Sequence, residues 1–415
     1  MDITQKYAAA AGGVFFMFIV INLLPHITPL IRHISLLTSK YLTYPYLIHR
    51  HRFLGPWSPA DGLVQLVYLT GNIFCFSFRV STISEAGLRA GTLSLINTIP
   101  LFAGPHLGFL ADLLGVSLRT YRHVHRSAGL MSFALILFHV LVVVFSRASF
   151  PLDLPQNRSG LIVRLHIPPV LPRLTLRKAG SSLALLLLLS YPLFRKPSYE
   201  LFLRSHQALA IASVYTTWRH LPSDKLFPRF YVYLSVSLFL STSISQCGRV
   251  LYQNGIFHHG LPRAHITLVG GAIKIQVHVR KPLEVKAGQY VNLWIWIPSI
   301  SFWTVIQSHP FVVTSWADGQ QYTLDLFIEP RRGLTRELFY HGQNRSARNP
   351  LVLFSGPHGS SAPMDEYQNI VMIASGFGIA AQLPYLKQLI HGYNTREVRA
   401  RRVHLIWQIQ DIGKA

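Results

Sequence analysis

Long apolar segments separated by short polar ones dominate the first 246 residues of the chain. A membrane-spanning helix needs about 20 mainly apolar residues, and seven segments meet or approach that length. They cover residues 11–31, 58–78, 90–113, 124–146, 175–193, 199–221 and 226–246. The third is the weakest because Pro100, Gly104 and Pro105 interrupt it, so a count of six stays open. The pattern predicts a multi-span α-helical domain of about seven helices over residues 1–246, embedded in a lipid bilayer.

The pattern changes after residue 247. Apolar and polar residues alternate in 264–270, 272–279 and 287–297, with glycines between the first two runs. Such alternation between glycine and proline turns is typical of antiparallel strands. An apolar run from Asn369 then leads through Gly376 and Gly378 into another apolar segment, the order strand, glycine turn, helix. We expect a β-barrel over 247–362 and the start of an α/β nucleotide-binding domain over 363–415.

Composition and charge agree with a membrane protein. Charged residues make up 13% of the chain, against about 25% in soluble domains. The formal charge is +23, from 39 Lys and Arg against 16 Asp and Glu. In the first 246 residues the basic side chains stand singly between apolar runs, which indicates membrane anchors and no nucleic-acid partner. The only cysteines, Cys75 and Cys247, exclude a disulfide framework and a four-thiolate metal site.

Four histidines inside the predicted spans carry the strongest chemical signal, because ionisable side chains are costly in a bilayer. His125 and His139 are 14 residues apart in the fourth span, and His206 and His220 have the same spacing in the sixth. At 100° per residue, 14 residues end within about 40° of four full turns and rise roughly 21 Å. Each helix therefore presents two histidines on one face, one towards each leaflet.

The two helices run in the same direction, since one span separates them, so the histidines pair as His125 with His206 and His139 with His220. Facing imidazoles suit a six-coordinate haem iron without a vacant position. His123 is turned roughly 160° away from His139 and is excluded as a ligand. The alternatives are helix-end histidines that snorkel or cap, and a zinc site, although these helices contain no H-x-x-x-H pair. We predict two haems b.

Taken together, these features resemble the fungal ferric reductase transmembrane components, in the superfamily that contains the NADPH oxidases. The resemblance rests on the two H-x13-H helices, on A-G-Q-Y-V at 287–291, on H-P-F-V-V-T-S-W at 309–316 and on G-F-G-I-A-A at 376–381. It covers nearly the whole chain.

The resemblance implies three sets of cofactor-binding residues. The flavin of FAD would lie against His309, Pro310, Phe311, Thr314 and Ser315. Many relatives have Thr where this chain has Val312, so a hydroxyl comes from Thr314 or Ser315 or is missing. A glycine-led helix start suited to the FAD pyrophosphate would be formed by Arg332, Gly333 and Thr335. The alternative is a solvated basic turn. The turn that binds NADPH would be formed by Gly376, Gly378 and Ile379; the alternative is a turn that serves only packing. Relatives often have Pro at the position of Ala381.

The implied activity is that of an NADPH-dependent ferric-chelate reductase. NADPH and FAD would bind on the cytosolic side of the plasma membrane. Electrons would pass from NADPH to FAD, then through two haems, to a ferric or cupric ion outside. The alternatives are a superoxide-generating oxidase and a non-catalytic haem protein. The resemblance also implies further strands and a Cys-Gly motif after Ala415, so we expect a truncated member of the family.

Overall fold

The computed structural model describes residues 2–23, 34–49, 56–103, 107–146, 182–191, 199–223, 226–256, 260–297, 307–331, 333–343 and 349–409. The chain divides into two compact units, Met1–Thr242 and Ser243–Ala415. Helices make up the first unit: α1 (Ile3–Leu23), α2 (Pro59–Ser77), α3 (Ile83–Thr98), α4 (Leu107–Leu113), α5 (Leu118–Ser146), α6 (Ser182–Ser190), α7 (Tyr199–His220) and α8 (Leu226–Gln253), whose last turns belong to the second unit.

Several predicted spans coincide with helices. The spans 58–78, 124–146, 199–221 and 226–246 fall on α2, α5, α7 and α8. By length and composition, residues 118–145 and 226–253 are the two described helices that could cross a membrane. The predicted spans 11–31 and 175–193 extend into residues outside the described ranges.

The third predicted span, 90–113, is not one helix. Helix α3 begins earlier, at Ile83, and ends at Thr98, and a short 3₁₀ turn over Ile99–Leu101 follows it. Helix α4 begins at Leu107. Pro100 lacks the amide hydrogen that would continue the α-helical ladder, which accounts for the break. Thr82 fixes the start of α3 because its hydroxyl accepts a hydrogen bond from the Glu85 amide at 3.2 Å.

Helices α3 and α5 pack closely through small residues. A Cβ added to Gly87 would stand 2.7 Å from a methyl carbon of Val142, and one added to Gly91 would stand 3.1 Å from Nδ1 of His139. The Ser132 hydroxyl donates a hydrogen bond to the Ser94 carbonyl at 2.8 Å. Glycines four residues apart let two helix backbones approach within a membrane, and this contact puts His139 directly against α3.

A six-stranded antiparallel sheet forms the main part of the second unit, in the order β4-β3-β6-β1-β2-β5. Its strands are β1 (Arg263–Val269), β2 (Ala272–Glu284), β3 (Tyr290–Trp296), β4 (His309–Val312), β5 (Gln320–Ile328) and β6 (Leu351–His358). The outer strands meet where Val313 bridges to Leu326. Alternate residues of the strands point into one apolar core, which Leu334 and Leu338 of helix α9 (Leu334–Gln343) cover.

The end of α8 is fastened to this sheet by Asn254, a residue with no exposed surface. Its amide nitrogen donates to the Phe354 carbonyl at 2.8 Å, and its oxygen accepts from the Phe354 amide at 3.1 Å. The amide nitrogen of Gln253 also donates to the Gly356 carbonyl at 2.8 Å. These bonds attach the last turn of α8 to β6 within the second unit.

The rest of the second unit is a β-α-β arrangement. Strands β7 (Asn369–Ser375) and β8 (Arg402–Gln408) pair in parallel, and helix α10 (Ile379–Asn394) connects them. A one-turn 3₁₀ helix, Gly376–Gly378, joins β7 to α10. The predicted order of strand, glycine turn and helix is therefore present.

Candidate functional site

The first unit brings the four span histidines together in two pairs. The ring centroids of His125 and His206 are 6.2 Å apart, with 50° between the ring planes. Those of His139 and His220 are 6.4 Å apart, with 77° between the planes. Each pair joins α5 to α7, as the 14-residue spacing predicts, and the near-equal distances indicate two similar sites.

The ring separations fit an iron between the imidazoles. A metal–imidazole bond is about 2 Å long, and a ring nitrogen lies roughly 1 Å from its ring centre, so two imidazoles that both bound one metal ion would have centroids up to about 6 Å apart. Nδ1 of His125 is buried without a hydrogen-bond partner among the described residues, and a bound group or water would satisfy such an atom. The donor set fits haem.

The neighbours of these histidines orient the imidazoles. Nδ1 of His139 lies 2.8 Å from the carbonyl oxygen of Gly87. A proton on Nδ1 would complete this hydrogen bond and leave Nε2 as the coordinating nitrogen. Nδ1 of His206 lies 3.5 Å from the Ser190 hydroxyl. His123 belongs to neither pair, since its ring packs against Trp57 with the centroids 5.5 Å apart.

The first predicted flavin residues lie on strand β4. His309, Pro310 and Phe311 pair with β3, and the rings of His309 and Phe311 stack with centroids 6.4 Å apart. The Thr314 hydroxyl donates to the Asp325 carbonyl at 2.9 Å. The Ser315 hydroxyl accepts from the Asp325 amide at 3.1 Å. Both hydroxyls therefore bond to the backbone of β5.

The predicted pyrophosphate segment forms the start of α9. Gly333 has φ of +71°, a left-handed conformation that glycine adopts without strain. The amides of Arg336 and Glu337 donate to its carbonyl. The Thr335 hydroxyl accepts from the Arg331 amide at 2.9 Å, and the Arg331 side chain pairs with Glu329 at 2.8 Å. Arg332 lies outside the described residues.

The predicted nucleotide turn is held by two aromatic side chains. The indole nitrogen of Trp407 donates to the Gly376 carbonyl at 2.9 Å. The ring of Phe377 stacks on Phe327 of β5 with centroids 5.4 Å apart. Gly378 precedes α10, whose first residue, Ile379, is buried. These contacts dock the turn on both β8 and the antiparallel sheet.

Some contacts near the predicted flavin residues involve side chains that the sequence motifs do not single out. The Tyr385 hydroxyl accepts from the Ala362 amide at 2.9 Å and covers Gly288, whose φ is +84°. Lys387 donates to the Thr314 carbonyl at 3.1 Å. Nε2 of the buried His358 lies 3.0 Å from the Ser355 hydroxyl. Lys387 reaches Thr314 only through the tertiary fold, because the two residues are far apart in sequence.

Comparison with known proteins gives two family matches. Residues 90–217 match a ferric reductase like transmembrane component, and residues 259–362 match an FAD-binding domain. The chain is 26% identical over 378 residues to ferric/cupric reductase transmembrane component 2 of Saccharomyces cerevisiae, covering 84% of this chain and 50% of that protein. It is 25% identical over 336 residues to a probable cell surface ferric reductase of Aspergillus oryzae, covering 77% and 43%.

A ferredoxin NADP+ reductase from Neisseria gonorrhoeae is similar over 37% of this chain and 58% of its own, with a TM-score of 0.29 and 19% identity. The chain spans about half the length of the curated relatives it matches. The two family matches define a membrane protein whose transmembrane part is followed by a flavin-binding domain. The chain is similar in both parts to the ferric reductase transmembrane components.

Proposed function

We propose that this chain carries electrons across a membrane, from NADPH through FAD and two haems b to a ferric or cupric ion on the far side. The observation that carries the proposal is that two pairs of imidazoles face each other, with ring centroids 6.2 and 6.4 Å apart, so that each pair could hold one iron. The relatives are named as ferric or ferric/cupric reductases, which supports the acceptor. The flavin-binding match on residues 259–362 supports FAD.

The residues of this chain would position the redox groups. Bound haem would supply a one-electron centre at each imidazole pair, and bound FAD would accept two electrons and release them one at a time. His125 and His206 would hold the haem near the flavin side, and His139 and His220 the haem near the far side. The Gly87 carbonyl fixes the His139 ring. Nicotinamide binding at Gly376–Gly378 is part of the same proposal.

Paired substitutions test the haem sites. His139→Ala with His220→Ala should leave one haem per chain, as should His125→Ala with His206→Ala. His123→Ala is the matched control, because it removes a histidine of the same helix that packs on Trp57, and it should keep two haems. The measurement is haem content and the Soret absorbance of the purified chain. Two haems in either double variant would refute the assignment.

The acceptor is tested in membranes that contain the chain. Reduction of chelated iron or of cupric ion with NADPH as donor, without matching superoxide release, is the expected result. Superoxide release as the main product would favour an oxidase. Two haems with no NADPH oxidation would favour a non-catalytic haem protein.

A further inference from the structure

A polar cluster lies where helices α2 and α5 begin, outside both imidazole pairs. The rings of Trp57 and His123 have centroids 5.5 Å apart, and the guanidinium of Arg126 lies 6.0 Å from the centre of the Trp57 ring. A β-bridge to Ile48 holds the backbone of Trp57 just before α2. His125 is about 160° around α5 from His123, so the cluster is separate from the predicted haem ligands.

We propose that this cluster binds the phosphate group of an anionic lipid. A phosphodiester carries one negative charge and has oxygens that accept hydrogen bonds, so it suits neighbouring N–H donors and a guanidinium. Basic pockets between transmembrane helices bind anionic lipid head groups in this way. The inference requires only that the chain lies in a membrane, and it does not depend on haem or on electron transfer.

Two buried nitrogens of the cluster lack a partner. Nε1 of Trp57 and Nδ1 of His123 are buried without a hydrogen bond to any of the described residues. An indole N–H can only donate, so Trp57 needs an acceptor, and Nδ1 of His123 also donates in one of the two neutral tautomers. Buried polar groups are normally hydrogen-bonded. Water or an anion would meet this need, and one phosphate has enough oxygens for both nitrogens.

The charge of the cluster favours an anion over water. Arg119 is compensated, because its guanidinium lies 3.5 Å from the Asp61 carboxylate and also donates to the Pro56 carbonyl. The Asp61 carboxylate accepts in addition from the amide and the hydroxyl of Ser58, both at 3.0 Å. Arg126 has no ion-pair partner in the part of the chain that the structure describes. Its uncompensated positive charge matches the single negative charge of a phosphodiester.

The cluster also lies at the depth of the lipid head groups. Residues 118–145 form a helix of 28 residues, about 42 Å long, and a bilayer with its head groups is about 40–45 Å thick. Roughly the first 5–8 Å of the helix, up to about His123, therefore fall in the head-group layer. Arg126 is exposed and lies about 5 Å deeper, and a long arginine side chain extends back towards the interface. A phosphate would reach the cluster without entering the hydrocarbon core.

The test uses the purified full chain in detergent, titrated with dioctanoyl phosphatidylglycerol, with bound lipid counted by native mass spectrometry. Arg126→Gln removes the charge of an exposed side chain, so it should not disturb the fold. Trp57→Phe removes the N–H and keeps an aromatic ring. Each should weaken binding of the lipid about tenfold, the change expected when one charge-assisted contact is lost.

Two matched controls remove the same groups elsewhere. Arg204→Gln removes an exposed arginine from the second turn of α7, at the same end of the bundle, since His125 and His206 face each other near the starts of α5 and α7. Trp218→Phe removes an indole N–H that already donates to the Tyr233 hydroxyl at 3.3 Å. Both controls should bind the lipid as the wild type does.

Several results would overturn the lipid site. They are wild-type affinity in Arg126→Gln, an equal loss of affinity in the Arg204→Gln control, and equal affinity for dioctanoyl phosphatidylcholine, whose head group has no net charge. Displacement of the lipid by millimolar inorganic phosphate would assign the cluster to a free anion instead. No bound lipid in the wild type would leave the two nitrogens to water. Haem content is measured in the same samples, so a chain without a Soret band would refute the proposed function and leave the lipid titration valid.

Discussion

Gly91 allows one imidazole pair to be disturbed without touching a histidine. In Gly91→Ala the new methyl carbon would stand 3.1 Å from Nδ1, 3.3 Å from Cε1 and 3.4 Å from Cγ of His139. Carbon atoms pack best at about 3.5–4.0 Å, so the ring must move by roughly half an ångström. That movement strains the 2.8 Å contact between Nδ1 and the Gly87 carbonyl, which orients the ring.

Changes to the partners of metal-bound histidines reduce affinity by about 10–100-fold, or about 1.4–2.7 kcal/mol. We expect Gly91→Ala to weaken haem binding at His139–His220 by this amount and to leave His125–His206 unchanged. Haem content measured against protein should fall from two towards one as the chain is diluted. Electron paramagnetic resonance should show the loss in one of two low-spin signals.

Gly129→Ala is the control for helix propensity and for methyl addition. Its new carbon would meet only Leu101, at 3.8 Å, an ordinary contact. Alanine is favoured over glycine in a helix by about 1 kcal/mol, so this variant should keep both haems and unfold no more easily. If Gly91→Ala also kept both haems with unchanged spectra, or lost both equally, the contact would not support haem binding at His139–His220.

Three further changes test the second unit, each in the full chain. Asn254→Ala deletes two hydrogen bonds to Phe354 and a third to the Val250 carbonyl, and should lower the unfolding free energy by about 2–3 kcal/mol. The measurement is Tm, which should fall; an unchanged Tm would contradict this role. Trp407→Phe keeps an aromatic ring but removes the N–H donor to Gly376. A lost hydrogen bond of about 1 kcal/mol should accelerate amide hydrogen exchange in the turn about fivefold. Unchanged exchange protection would show that the bond does not stabilise the turn. Gly288→Ala should destabilise by about 1–3 kcal/mol, because φ is +84° and the methyl would meet the Tyr385 hydroxyl, and an equal Tm would show that the backbone relaxes there.

Helix periodicity explains why the histidine pairs could be anticipated. The angle between two positions on a helix depends only on their separation, so 14-residue spacings on two co-directional helices predict which rings meet. The strands of the second unit could also be predicted from the sequence, because apolar and polar residues alternate along β1 and β2 as the buried and exposed positions do. In both cases a local pattern carries the information.

The helix boundaries were less predictable because hydropathy does not record where hydrogen bonding changes. Residues 90–113 are apolar enough for a span, yet Pro100 ends the regular helix before the midpoint. The close packing of α3 on α5 did have a signal, since Gly87 and Gly91 are four residues apart. The two glycines indicate which face of α3 packs against another helix, but not which helix that is. The contact with His139 is therefore known only from the fold.

The hydroxyls that follow β4, the strand predicted to contact flavin, show why a motif alone does not fix a site. Thr314 and Ser315 are the sequence candidates for the hydroxyl that Val312 lacks, but both bond to the backbone of β5. A hydroxyl has one proton to donate, and Thr314 donates its proton to a carbonyl that a ligand would have to replace. We expect the third of the alternatives given above, a flavin site in which no side-chain hydroxyl replaces the Thr that Val312 displaces. Flavin binding would then depend on the stacked ring and the backbone of β4, and replacing Thr314 by Val should weaken the fold more than it weakens FAD affinity.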